Sequence, residues 1–116
     1  MKIASINKEL EYNAEKPAIK VLLETNLTKE IRLMFKKDQL MKEHKPPFPI
    51  VVEIFEGKID FGVLGKIYNL VKGDLIALEG GIPHDLKATA DSIVRLTLSK
   101  SDMVERVKQG NLDSRL

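Results

Sequence analysis

Between residues 17 and 98, apolar and polar side chains alternate with a period of two, the spacing that sends successive side chains to opposite faces of a β-strand. Ile19, Val21 and Leu23 alternate with Lys20, Leu22 and Glu24; Ile31, Leu33 and Phe35 alternate with Arg32, Met34 and Lys36. Each segment predicts a strand with one buried face. Ile50 to Phe55 is more uniformly apolar and β-branched, which predicts a strand covered on both sides, ending at the turn signal Glu56-Gly57. Alternation resumes at Ile59, Phe61 and Val63 against Lys58, Asp60 and Gly62. Leu64-Gly65 then predicts a tight turn into Lys66 to Val71, and Lys72-Gly73-Asp74 another into Leu75 to Leu78, giving a run of hairpin-connected strands.

Gly80-Gly81-Ile82-Pro83 reads as the next loop, followed by strands at His84 to Lys87 and Ser92 to Leu98, with Val94, Leu96 and Leu98 inward. About eight short strands predict an all-β sandwich or barrel with its core over residues 17–98. After Leu98 the period changes: Ser101 or Asp102 can cap a short helix over about residues 102–109, carrying Val104 and Val107 and ended by Gly110. The first 16 residues and the last six are polar and are expected to be loosely ordered.

A chain of 116 residues, 43% hydrophobic and 31% charged, has room for one core, so residues 1–116 are read as a single domain. The formal charge of +2 is spread out, with Lys36, Lys37 and Lys42 interrupted by Asp38 and Glu43, so no basic stripe forms and nucleic acid is not expected as a partner. No apolar stretch suits a signal peptide or spans a bilayer, and the expected setting is cytoplasmic, away from membranes. Without cysteine there are no disulfides, thiolate ligands or thiol nucleophiles, which leaves imidazole and oxygen groups for any chemistry. The sequence lacks G-x-S-x-G, a G-K-[ST] phosphate loop and H-E-x-x-H, which removes the common hydrolase, nucleotide-binding and zinc-peptidase signatures.

Two segments carry a family resemblance. His44 to Gly57 followed by Gly73 to His84 resembles, in order, the two motifs of the cupins, G-x5-H-x-H-x(3,4)-E-x6-G and G-x5-P-x-G-x2-H-x3-N. His44 stands at the first histidine, Pro46 at the second, Ile50 at the glutamate and Gly57 at the closing glycine, while Asp38 replaces the opening glycine. In the second motif Gly73, Gly81 and His84 match, whereas Glu79 replaces proline and Ala88 replaces asparagine. The resemblance implies a cupin-type jelly-roll β-barrel of the small single-domain kind, with His44 and His84, the only histidines in the chain, brought together across its interior.

Metal-binding cupins hold a divalent ion with three imidazoles and one carboxylate, a set suited to iron, manganese, nickel, copper or zinc, and the resemblance implies Fe, Zn, Mn or Ni as the possible metal here. Here His44 and His84 are the remaining candidate ligands, and Glu53, Glu79, Asp60 and Asp85 read as outward-facing acids. With Ile50 joining Val52 and Ile54 on one face, the expected pocket of His44, Ile50, Val52, Ile54 and His84 is apolar with two imidazoles. It suits a small, largely apolar molecule with one polar or acidic group. Three readings follow. The first is a small-molecule-binding protein with a degenerate metal site. The second is a metal-dependent enzyme, of oxygenase or isomerase type, using His44, His84 and a further ligand. The third is a dimeric structural scaffold. The resemblance also implies a homodimer formed through the N-terminal strands, residues 17–24 and 30–36.

Overall fold

The computed structural model describes residues 1–101; the helix expected over about 102–109 lies outside the described residues. Nine strands run β1 (Ala18–Glu24), β2 (Thr28–Phe35), β3 (Leu40–His44), β4 (Ile50–Glu56), β5 (Lys58–Val63), β6 (Lys66–Val71), β7 (Leu75–Leu78), β8 (His84–Ala88) and β9 (Ser92–Ser99). They form two antiparallel sheets, of order β1-β2-β9-β4-β7 and β3-β8-β5-β6. Among the described residues no helix is long and apolar enough to cross a membrane.

Register explains the core. In the larger sheet the inward rows are Ile31–Leu96–Val52–Ile76 and Leu33–Val94–Ile54; in the smaller they are Ala88–Ile59–Leu70 and Leu86–Phe61. Side chains of these rows interlock as one buried cluster, with Phe35, Ile54, Ile59, Phe61, Ala88 and Val94 wholly sealed from solvent. The period-two alternation read from the sequence is the cause, because each strand offers one apolar face and the two faces close on each other.

The connections differ from a run of hairpins. Only β1–β2 and β5–β6 are neighbours both in sequence and in a sheet; β4 to β5, β6 to β7 and β8 to β9 each pass from one sheet to the other. Gly57 makes the first of these corners at φ 92°, where a Cβ would lie 2.7 Å from Ser92 Cα and closer still to the Asp91 carbonyl oxygen, so only glycine fits. The turn at Leu64-Gly65 is a two-residue hairpin with both residues at positive φ (52° and 77°), matching the strand twist.

Three strands depart from the expected burial. Strand β1 is a sheet edge, and although Ile19 and Val21 stand in register with Leu33 and Ile31, they remain 64% and 47% exposed. Strand β4 alternates, with Ile50, Val52 and Ile54 buried and Val51, Glu53 and Phe55 only half-buried, so it is not covered evenly on both sides. Strand β2 is the one buried on both faces from Ile31 to Phe35.

The cover over β2 is the N-terminal segment, expected to be loosely ordered. Arg32, only 3% exposed, donates from Nη1 to the carbonyl oxygens of Ile6 (3.2 Å) and Lys8 (2.8 Å) and from Nη2 to that of Glu9 (3.1 Å). Gln39 Nε2 donates to Asn13 O at 2.7 Å, and Lys20 pairs with Glu9 at 3.1 Å. A polar segment with few apolar side chains is thus strapped across the sheet by its backbone, a mode of attachment that hydrophobic patterning does not register. Arg32 Nε is sealed without a hydrogen-bond partner among the described residues, while the Arg32 residue itself lines a cavity of about 340 Å³ between strap and sheet.

Candidate functional site

Strand β3 carries the first histidine, and its pairing with β8 is irregular. Met41 lies opposite Leu86 and His44 opposite His84, so three residue steps on β3 match two on β8. On a regular strand an offset of three would send Met41 and His44 to opposite faces; the extra residue brings both to the interior. The charged Leu-Met-Lys-Glu-His run has no period-two pattern for this reason, and β3 is the strand that sequence reasoning missed.

The two imidazoles meet across this pair, with ring centroids 4.5 Å apart and planes tilted by 54°. On its other side His84 stacks on Phe61 at 5.3 Å and 11°. Each ring is oriented by its own strand: His44 Nδ1 lies 3.1 Å from Lys42 O and His84 Nδ1 lies 3.1 Å from Ile82 O. A carbonyl oxygen only accepts, so each neutral imidazole carries its proton on Nδ1 and leaves an Nε2 lone pair without a protein partner among the described residues. His84 is 2% exposed, so its ring lies behind His44 within the core.

Burial holds the His84 imidazole below its ordinary value of 6.5, and the neighbouring His44 pushes in the same direction; the Ile82 carbonyl and Asp85 oppose them. The unfolded chain therefore binds more protons than the folded one between the lowered value and 6.5. Stability from this group is complete above pH 6.5 and is lost as pH falls through the lowered value. The expected result is a melting temperature that is level from about pH 8 to 7 and declines toward about pH 5, with a shallower decline in His84→Gln. Equal slopes in the two proteins would remove His84 as the source.

His44 opens into a cavity of about 410 Å³ at the mouth of the barrel. Its apolar wall includes Ile31, Leu33, Met41, Leu96 and Leu98; Pro46 and Pro47 border it, and Lys29 and Lys100 supply its cationic groups. Lys29 faces Leu98 across the β2–β9 pairing, and Lys100 is ion-paired with Glu24. Of the five positions expected to line a common pocket, His44 is in this wall, and His84 sits directly behind it. Ile50, Val52 and Ile54 are buried in the adjoining core. Sequence reasoning did not find Lys29, Met41 or Lys100, because their place depends on register and on the β3 bulge.

The loops before and after the histidines are tied together. Gly81 N donates to Pro46 O at 2.7 Å, and Gly80 passes so near the Pro47–Phe48 backbone that an added Cβ would lie 2.9 Å from Phe48 Cα. The four acids set aside from the site do other work or lie elsewhere: Glu53 accepts from Arg95 Nε at 2.8 Å on the outer face, Asp60 accepts from Asn69 at 2.7 Å, and Glu79 is exposed. Asp85 stands beside Gly62 on the outer side of the smaller sheet.

No family model matches the sequence, and no curated protein matches it. Solved structures do match the fold. An RmlC-like cupin from Desulfovibrio desulfuricans superposes with a TM-score of 0.79 at 19% identity, covering 85% of this chain and 96% of its own. A cupin superfamily protein from Desulfitobacterium hafniense gives 0.74 at 11% identity, with coverage of 79% and 84%. The fold is that of a cupin. KdgF from a Halomonas species shares it as well, with a TM-score of 0.73, 16% identity and coverage of 90% and 99%.

Within the cupin fold the departures from the motifs acquire physical meaning. Asp38, at the position of the opening glycine, adopts φ 76°, a left-handed conformation that aspartate tolerates better than most side chains. The divalent site of the metal-binding cupins does not fit these residues: Pro46 and Ile50 offer no ligand, and no group of three His, Asp or Glu side chains converges among the described residues. Two imidazoles in an apolar wall do not supply the third protein ligand that a catalytic Fe, Zn, Mn or Ni ion ordinarily has.

Proposed function

We propose that this cupin-fold protein binds a small, largely apolar molecule with one acidic group in the barrel mouth. The observation that carries this reading is the cavity itself: about 410 Å³ of mainly apolar space with His44 inside and Lys29 and Lys100 among its lining. That volume and lining suit a compact hydrophobic body, and Lys29, beside a Lys100 already paired with Glu24, favours a carboxylate or similar anion at one end. The His44 Nε2 lone pair can accept a hydrogen bond from a hydroxyl or amide on the ligand.

A thermal-shift screen of aliphatic and aromatic carboxylic acids on metal-free protein tests the proposal. A ligand at about 100 times its Kd should raise the melting temperature by on the order of 10 °C. The rise should shrink in Lys29→Glu and vanish in Leu98→Trp, which fills the cavity. A screen in which no acid shifts the transition, or a shift that Leu98→Trp leaves intact, overturns it.

We further propose that the assembly is a homodimer through β1. Support comes from Ile19 and Val21, two exposed apolar side chains on an edge strand that carries unpaired backbone groups. Sedimentation at micromolar concentration should give twice the chain mass, reverting to the monomer in an Ile19→Lys, Val21→Lys variant. A monomeric wild-type protein counts against it.

A further inference from the structure

Strand β1 overhangs the smaller sheet. Ile19 and Val21 stand in register with Leu33 and Ile31 and so turn to the inward side of the larger sheet, yet they stay exposed, because the smaller sheet ends at β3 and leaves β1 uncovered among the described residues. Ile19 is at the same time part of the wall of the cavity of about 410 Å³, together with Ile31, Leu33, Met41 and His44. The ligand cavity therefore runs out along a sheet edge, and one apolar side chain belongs both to its wall and to that edge.

Resting on the acid-binding and dimer readings above, we infer that a second copy of this chain completes the ligand site, so that binding and dimerisation are coupled. An antiparallel β1 pair about a two-fold axis normal to the sheet keeps the inward sides of both chains on one side. Ile19 and Val21 then lie beside Ile19 and Val21 of the partner subunit, and the two cavities open toward each other across these apolar side chains. A second copy fits this edge because β1 offers it the same unpaired backbone groups and the same two apolar side chains, as an isologous contact requires. Area points the same way. A seven-residue edge, about 23 Å long and one strand deep, is too small by itself to reach the roughly 800 Å² per partner of a stable interface, so a stable pair also buries the apolar cavity mouths beside the strands. In the monomer a bound apolar molecule keeps its side toward Ile19 in water; in the dimer that side is covered. The apolar area covered only when ligand and partner are both present is the source of the coupling, which acts equally in both directions.

The test uses the full chain and 1-anilinonaphthalene-8-sulfonate, an apolar dye with one sulfonate that reports apolar sites by fluorescence. Val21→Lys disrupts the β1 pair at a residue outside the cavity wall, and its added charge attracts the sulfonate, so the charge alone cannot cause a loss of binding. The resulting monomer should bind the dye about tenfold more weakly than the wild-type dimer, with circular dichroism checking that its fold is kept. Dilution of the wild type below its dimer dissociation constant gives the same comparison without a substitution. Each dimer holds two sites, so saturating dye should tighten the wild-type dimer by the square of that factor, about a hundredfold, read by sedimentation across a dilution series. Leu98→Trp should abolish dye binding in monomer and dimer alike. Equal dye affinity in the two forms, or a dimer unmoved by dye, overturns the inference while the acid-binding and dimer readings stand. A wild type that stays monomeric with dye bound means that some other occupant covers β1, and overturns it together with the dimer reading. Dye binding that is absent, or that Leu98→Trp leaves intact, overturns it together with the acid-binding reading.

Discussion

Phe61→Ala is expected to destabilise the protein by about 3–5 kcal/mol, on the order of 20 °C in melting temperature for a chain of this size. Phe61 is fully buried at the centre of the smaller sheet's inward face and also forms the floor on which His84 stacks at 5.3 Å. Truncation removes its transfer free energy and leaves a cavity that two hydrogen-bonded sheets cannot collapse into. It also removes the wall that shields His84, so the imidazole should move back toward its ordinary value. Urea denaturation measures the first effect, and NMR titration of the two histidines the second. A loss below about 1 kcal/mol would mean the sheets close over the gap; a large loss with an unchanged His84 titration would mean that Phe61 supports the core without shaping the site.

Arg32→Met is expected to release the N-terminal strap. The substitution keeps an apolar stem of similar length and removes the donors that hold Ile6 O, Lys8 O and Glu9 O. Hydrogen bonds to a charged group are each worth more than neutral ones, but the freed carbonyls regain water once the strap lifts, so the net loss should be about 2–3 kcal/mol. Limited proteolysis should then cut within residues 1–16, a region expected to resist cleavage in the wild type. Deleting residues 1–10 from Arg32→Met should cost little more than the substitution alone, since both remove the same contact. Additive losses, or a strap as protected as in the wild type, would show that other contacts hold it.

Much of the fold was legible because burial in a two-sheet barrel follows a simple period. Ile59, Phe61 and Val63, and Val94 and Leu96, alternate in the sequence and are buried in the structure for the same reason. Illegible were the features that no period encodes. Strand β3 breaks alternation at its bulge, and that bulge decides that Met41 shares a face with His44. Exposure of Ile19 and Val21 follows from β1 being an edge, a property of sheet order and not of local pattern. The N-terminal strap escaped notice because Arg32 holds carbonyl oxygens, which every residue carries. Of the site, the sequence indicated that His44 and His84 belong together and that Ile50 adds apolar surface; the cavity's lysines and its opening beside the histidines required the register.

The extra residue in β3 makes the inventory of the barrel mouth a matter of chain length as much as of residue identity. Removing either Lys42 or Glu43 would restore regular pleating, and Met41 and His44 would then stand two residues apart with no need of a bulge. Inserting one residue there would put four steps between them, which keeps both inward on a regular strand but carries His44 two positions along β8, away from His84. A single-codon insertion is therefore a larger step for this site than most substitutions at its lining positions, whereas a deletion keeps its inward face, and divergence among related chains should be sought in the length of this strand as well as in its letters.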